Sequence, residues 1–155
     1  MNTIKQFWLM KSEPSEHSID DLSRDKRAPW YGVRNYQARN YMRDLMRPGD
    51  AVLFYHSSCP EPGVAGVAEV VGRPYPDATQ FDRKSHYFDP KATAENPRWV
   101  LVDVKFKKRF KHVVSLQAMR QEKKLAGLII LRPGNHLSIT PVTEREFQTV
   151  LTLAA

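Results

Sequence analysis

Arg39, Arg43 and Arg47 recur every four residues, so on a helix they form a stripe of like charge along one side. Guanidiniums at that spacing repel by about 0.2–0.5 kcal/mol per pair. A stripe that tolerates this repulsion suits the phosphates of a nucleic-acid backbone; a solvated helix face relieved by Asp44 would carry the same residues. A second basic block runs through Lys105, Lys107, Lys108, Arg109 and Lys111. It reads either as further phosphate contacts, with Lys107 and Lys108 foremost, or as charges protecting an exposed strand edge. Aromatic rings stand where a core does not need them: Trp30 and Tyr31 between Pro29 and Gly32, Tyr75 between Pro74 and Pro76, and Tyr87 in a long irregular stretch. Flat rings on loops can stack on a base, worth about 1–3 kcal/mol each, or they can plug the rim of a barrel.

Enzymatic chemistry finds less support. There is no glycine-rich phosphate loop, no nucleophile elbow and no pair of histidines spaced to share a metal on a helix. His56 and Cys59 stand three apart and could in principle form a thiolate pair; the plainer reading is a strand-end histidine and a loop cysteine. Asp20 and Asp21 are adjacent, so on a helix they diverge. Cys59 is the single cysteine, which excludes an internal disulfide and a cysteine-built zinc site. No metal or cofactor is expected. A binding module is the first reading. The alternatives are an enzyme acting on a modified nucleotide or RNA through His56, Ser57 or Cys59, and a pocket for a small anionic metabolite.

The elements that must position these groups follow from periodicity. Phe7 to Ser12 reads as a strand stopped by Glu13-Pro14. Ser18 and Asp21 form a capping box for a short helix to Arg24, and residues 27–32 are a loop. Asn35 caps the clearest helix, reaching Arg47, whose Ala38, Tyr41, Met42, Leu45 and Met46 make an apolar face. Strands follow over 51–56 and 64–72. Residues 73–97 are mostly loop, and a loop of that length is more often functional than idle. Trp99 to Phe106 is a strand with Val100, Val102, Val104 and Phe106 on one face. A helix over 115–124, a short buried strand over 128–131, and a helix opened by the Thr143–Glu146 capping box complete the chain. Strands without a regular βαβ alternation argue for one α+β domain, residues 1–155, on a curved, mostly antiparallel, barrel-like sheet surrounded by several helices.

Composition agrees. The 155 residues are 41% hydrophobic, enough for a core, and carry a net charge of +7. That charge is concentrated: residues 24–47 are net +5 and residues 105–124 net +7, so the rest of the chain is acidic. Such a balance favours anionic partners. No apolar run approaches the roughly 20 residues of a membrane helix, and residues 1–5 lack the pattern of a signal peptide. A cytoplasmic protein without membrane contact is expected, with a monomer as the expected state.

Several segments together resemble the EVE domain family. They are Phe7-Trp8-Leu9-Met10-Lys11-Ser12-Glu13-Pro14, Trp30-Tyr31-Gly32-Val33-Arg34-Asn35-Tyr36-Gln37-Ala38-Arg39-Asn40, and Phe54-Tyr55-His56-Ser57. The pattern continues through Gly63 to Gly66, Tyr75-Pro76-Asp77, Asp89 to Lys91, Asn96 to Trp99, and Leu137 to Thr143. The chain resembles a free-standing bacterial member. The resemblance implies a PUA-like fold, similar to the YTH domain, and a reader of modified bases, chiefly modified cytosine in DNA, with RNA also proposed. It places Lys11, Ser12 and Glu13 at a base edge, Trp30 as the stacking platform, and Val33, Arg34, Asn35, Tyr36 and Gln37 at the opening of the main helix. His56 and Ser57 would face them, with Tyr75, Asp77 and Tyr87 on the other wall. Trp8 and Trp99 are expected in the core. Arg34, Arg39, Arg43, Arg47, Lys107 and Lys108 are the phosphate candidates, and small anions are a further expected occupant of the pocket.

Overall fold

A computed structural model describes residues 5–155; four of the five residues that lack a signal-peptide pattern lie outside the described range. Six strands form one sheet: β1 (Phe7–Ser12), β2 (Arg27–Pro29), β3 (Ala51–His56), β4 (Gly63–Pro76), β5 (Val100–Ser115) and β6 (Ile139–Val142), in the order β2-β5-β4-β3-β1-β6. The β1–β3 pair is parallel and every other pair antiparallel. The sheet does not close: β2 and β6 are its edges, of three and four residues, carrying Pro29 and Pro141. Register shifts between β3 and β4, and at three points between β4 and β5, bend the long central strands.

Both faces of the sheet are covered, which explains the unbroken apolar runs in β1 and β3. Alternation sends Trp8, Met10, Val52 and Phe54 to one core and Leu9, Leu53 and Tyr55 to the other. The first core is closed by α1 (Ile19–Asp25) and α2 (Tyr36–Asn40), the second by α3 (Leu116–Gln121) and α4 (Glu144–Ala154). Val102 and Val104 of β5 enter the first core with Val100 and Phe106 packed against it, as their spacing predicts. The caps appear where the sequence places them: Ser18 with Asp21, Asn35 on the amide of Ala38, and Thr143 with Glu146.

Four expectations change. The 27–32 loop contains β2, an edge strand too short to show a period. The strand after residue 99 continues to Ser115 through the basic block, because β4 pairs with it along nearly its whole length. Residues 129–131 form a single 3-10 turn instead of a strand. The main helix changes into a π-turn over Tyr41–Leu45. One turn there takes more residues, so Ala38, Met42 and Met46 are buried while Leu45 swings outward to 48% exposure. Among the described residues, no helix is long and apolar enough to cross a membrane.

The turn before β3 is organised by Asp50, 2% exposed, whose carboxylate accepts from the amides of Gln6 and Arg47, the Gln6 side chain and the indole of Trp8. Asp50→Ala would strand those donors. It is expected to destabilise the fold by about 3 kcal/mol, read as a shift in the urea midpoint; an unchanged midpoint would refute this role.

Candidate functional site

Where the parallel strands β1 and β3 end, the chain encloses a cavity of about 400 Å³. Its floor is apolar and buried: Leu22, Trp30, Val33, Phe54 and Val104. The middle is polar, with Lys11, Ser12, Ser57 and Ser138 half-buried. The mouth is exposed, formed by Glu13, Glu16, Tyr31, His86 and His136. A site that is apolar below and polar above, with few convergent groups, is the usual form of a small-ligand pocket.

Trp30 is held by its backbone N–H donating to the carbonyl of Val102, and its ring meets the Phe54 ring edge-on at 5.3 Å. It is 9% exposed, so it belongs to the core as well as to the cavity wall. Tyr31 and Tyr87 pack edge-to-face at 5.7 Å, and both hydroxyls donate to the carboxylate of Glu16. Burial, then the bond to Glu16, pushes the Tyr87 hydroxyl up to about 12.

Tyr87 reaches the cavity from the segment between β4 and β5, and Arg34 holds it there. The Arg34 guanidinium donates twice to the carbonyl of Tyr87, and also to the carbonyl of Val33, the carboxylate of Asp77 and the hydroxyl of Thr79. These five contacts engage its full set of donors. Asp77, fully buried, also accepts from the backbone N–H of Gly32 at 2.8 Å. Gly32 has φ +86°, and a Cβ there would lie 2.8 Å from the Tyr87 ring, so both conformation and space require glycine.

Lys11 is a half-buried cation in the wall. Burial lowers its pKa, and among the described residues no carboxylate lies within 4 Å of its amine. The hydroxyl of Ser12 is committed to the carbonyl of His17. Lys11 therefore offers a cation that the wall leaves unmatched.

Of the residues expected in the pocket, Lys11, Ser12, Glu13, Trp30, Val33, Arg34, Ser57 and Tyr87 line the cavity. The others do not. Asn35 is spent capping α2 and Gln37 donates to the Tyr41 hydroxyl. Tyr36 stacks on Trp99 at 4.8 Å with the Arg39 guanidinium over its ring at 4.6 Å. Nε2 of His56 accepts the Ile19 N–H, which fixes the start of α1, and burial holds its pKa below the ordinary histidine range. Tyr75 donates to Asp103, and Asp77 lies beneath the rim as part of the Arg34 clamp. Trp8 and Trp99 are core residues, at 2% and 5% exposure.

The phosphate candidates also separate. Arg34 has no donor free for phosphate. Arg39 bonds to Asn40 and to the carbonyl of Arg98, and Arg43 pairs with Asp44. Arg47 is exposed, Lys107 lies 3.7 Å from Glu69, and Lys108 is exposed on β5. None of the last five lines the cavity. Sequence reasoning missed the cavity roles of Glu16, His17, His86 and His136, which carry no period or spacing; Ser138 stood in a matching segment without an assigned role.

A family model described as the EVE domain matches residues 6–153. Thymocyte nuclear protein 1 of Homo sapiens is 40% identical over 171 residues, spanning 99% of this chain and 76% of its own. Among solved structures, a hypothetical protein from Leishmania major is similar with TM-score 0.94 and 48% identity, covering 97% of this chain and 95% of its own. The human THYN1 protein in complex with 5-methylcytosine-containing DNA gives TM-score 0.90 and 38% identity, covering 97% and 98%.

Tyr87 supplies a pH test. The folded chain keeps this proton to about 12, the unfolded chain only to about 10. Its contribution to stability is therefore full below pH 10 and lost as the pH climbs from about 10 to 12. Glu16→Gln is expected to move the Tyr87 transition toward 10 in an ultraviolet titration, with Tyr87→Phe identifying that transition. The same curve for wild type and Glu16→Gln would remove the Glu16 contact.

Proposed function

Because this chain belongs to the EVE domain family, we propose that its cavity receives a single modified base of a nucleic acid and that the protein is a binding module and not an enzyme. The observation that carries this reading is the cavity itself: a buried indole and phenyl ring in its lining, a tyrosine held in its wall by Arg34 and Glu16, and a lysine amine with no carboxylate within 4 Å. Modified cytosine in DNA is the first choice of ligand, supported by the 5-methylcytosine-containing DNA bound by the human THYN1 protein. RNA bearing a modified base fits the same description.

In this mechanism the base leaves its stack at a cost of a few kcal/mol, least in a single strand or at a damaged pair. Ring contacts with Trp30 and Tyr87 offset that cost, at about 1–3 kcal/mol per stacked base. A buried methyl group adds about 0.8 kcal/mol, which is only about fourfold in affinity. Sharper selection falls to polar groups that the wrong base would leave unpaired. The Lys11 ammonium donates to a carbonyl oxygen of the base. Ser57 and Ser138, also half-buried in the lining, are further polar groups available to the base, and Glu13 at the mouth accepts from an exocyclic amine, as carboxylates do from cytosine.

Binding of defined oligonucleotides that carry cytosine, 5-methylcytosine or other modified bases tests this directly. A preference for one modified base is expected, and equal affinity for all would overturn the reading. Lys11→Met keeps the length and apolar stem of the side chain while removing its charge. It is expected to weaken the preferred ligand by about ten- to a hundredfold, the worth of one charged hydrogen bond. Trp30→Ala should cost about 1–3 kcal/mol of affinity. Because Trp30 is also core, its thermal unfolding must be measured alongside, so that lost binding is separated from lost folding.

A further inference from the structure

A base seated in the cavity still needs its strand held on either side, and the helix arginines are poor candidates for that: no residue of the 35–47 segment lines the cavity, and Arg39 and Arg43 are already bonded to Asn40, to the carbonyl of Arg98 and to Asp44. The mouth is bordered by two loops of different origin. One is the turn 82–88, whose His86 and Tyr87 line the cavity; the other is 132–138, whose His136 and Ser138 line it. Arg83, Lys84 and Arg132 lie on these loops, and all three are exposed. Among the described residues, none of the three has a carboxylate within 4 Å, whereas Arg24, Arg27, Arg43, Lys105, Lys107 and Arg109 each do.

The carboxylates near the mouth are mostly spent. Asp82 accepts from the backbone N–H of Lys84, and Glu16 accepts from Tyr31 and Tyr87. Glu13 is left, on the β1 side. The 82–88 turn is also rigid. Ser85 donates its N–H to the carbonyl of Asp82, Phe88 to that of Ser85, and Tyr87 to the Ser85 hydroxyl, while Arg34 grips the Tyr87 carbonyl. Cations on a backbone already fixed lose less entropy when they bind. The opposite loop turns at Gly134, φ +75°, and the Ser138 carbonyl anchors it by accepting the Lys11 N–H.

A nucleotide whose base enters the cavity carries one phosphate on each side of its sugar, and the two leave the mouth in different directions. The geometry points to Arg83 and Lys84 with His86 as the grip for one of these phosphates, and Arg132 with His136 as the grip for the other. This assignment rests on the proposed reading of the cavity and replaces the helix stripe as the anchor of the backbone.

Fluorescence anisotropy with a 5-methylcytosine-containing oligonucleotide and its unmodified counterpart, each over a range of KCl concentrations, tests it. Arg83→Ala/Lys84→Ala and, separately, Arg132→Ala are expected to lower affinity for both strands by the same factor. They should also flatten the slope of log K against log salt by about 0.7–0.9 for every phosphate that is no longer neutralised. Arg43→Ala/Arg47→Ala should keep the wild-type slope. Wild-type slopes in the loop variants, or a slope that falls only in the helix variant, would overturn the assignment while leaving the pocket reading intact. A wild-type protein that binds neither strand would overturn both.

Discussion

The Arg34 guanidinium is the interaction on which the cavity depends. It stands on the loop that follows Trp30 and spends its donors on residues 77, 79 and 87, across more than forty positions of sequence. Without those bonds the backbone of Tyr87 would lose its anchor, and the ring would be held only by the Glu16 carboxylate and its packing on Tyr31 and His86. The buried Asp77 is tolerable for the same reason: a desolvated carboxylate needs charged or N–H partners, and it finds Arg34, Gly32 and Thr79. One ion pair thus sets the wall of the pocket and satisfies the charge it buries.

Beyond Arg34 the same construction continues outward. Its guanidinium lies over the Tyr87 ring at 5.6 Å and over the Trp99 ring at 5.4 Å. Trp99 is stacked by Tyr36, which is covered in turn by Arg39. Alternating cations and rings thereby tie the opening of α2 to the start of β5. Arginines that a count of charge assigns to solvent or to a ligand serve here as packing elements, their flat faces on aromatic rings and their edges on carbonyls.

How much of this was legible in the sequence depends on how far each signal reaches. The caps at Ser18, Asn35 and Thr143 were legible because each is a bond across three residues. The apolar faces of β5 and α4 were legible because burial imposes a period. Eight of the expected pocket residues line the cavity, and the six that do not come from the same family-like segments, because a matching segment does not say which way each side chain faces. The fate of Arg34 was not legible: its acceptors come from residues that only the fold brings near, so it reads as a free cation. Asn35 and His56 were similarly misplaced, since both side chains are consumed by backbone amides. The π-turn left no mark in the apolar period, and the far half of β5 was obscured because a strand rich in lysine looks like a solvated loop until its partner β4 is known.

The two outer strands bear on the behaviour of the molecule in a crowded solution. An open sheet offers hydrogen-bonding groups along both borders, and those borders can recruit foreign strands. Here each outermost strand is only three or four residues long and carries a proline, Pro29 on one side and Pro141 on the other, and the stretch of β5 that runs on past β2 carries Lys107, Lys108, Arg109 and Lys111. A proline has no amide hydrogen to donate. An incoming chain would find a template too brief, too broken or too charged to copy, so the molecule can leave its sheet unclosed without becoming a seed for fibres.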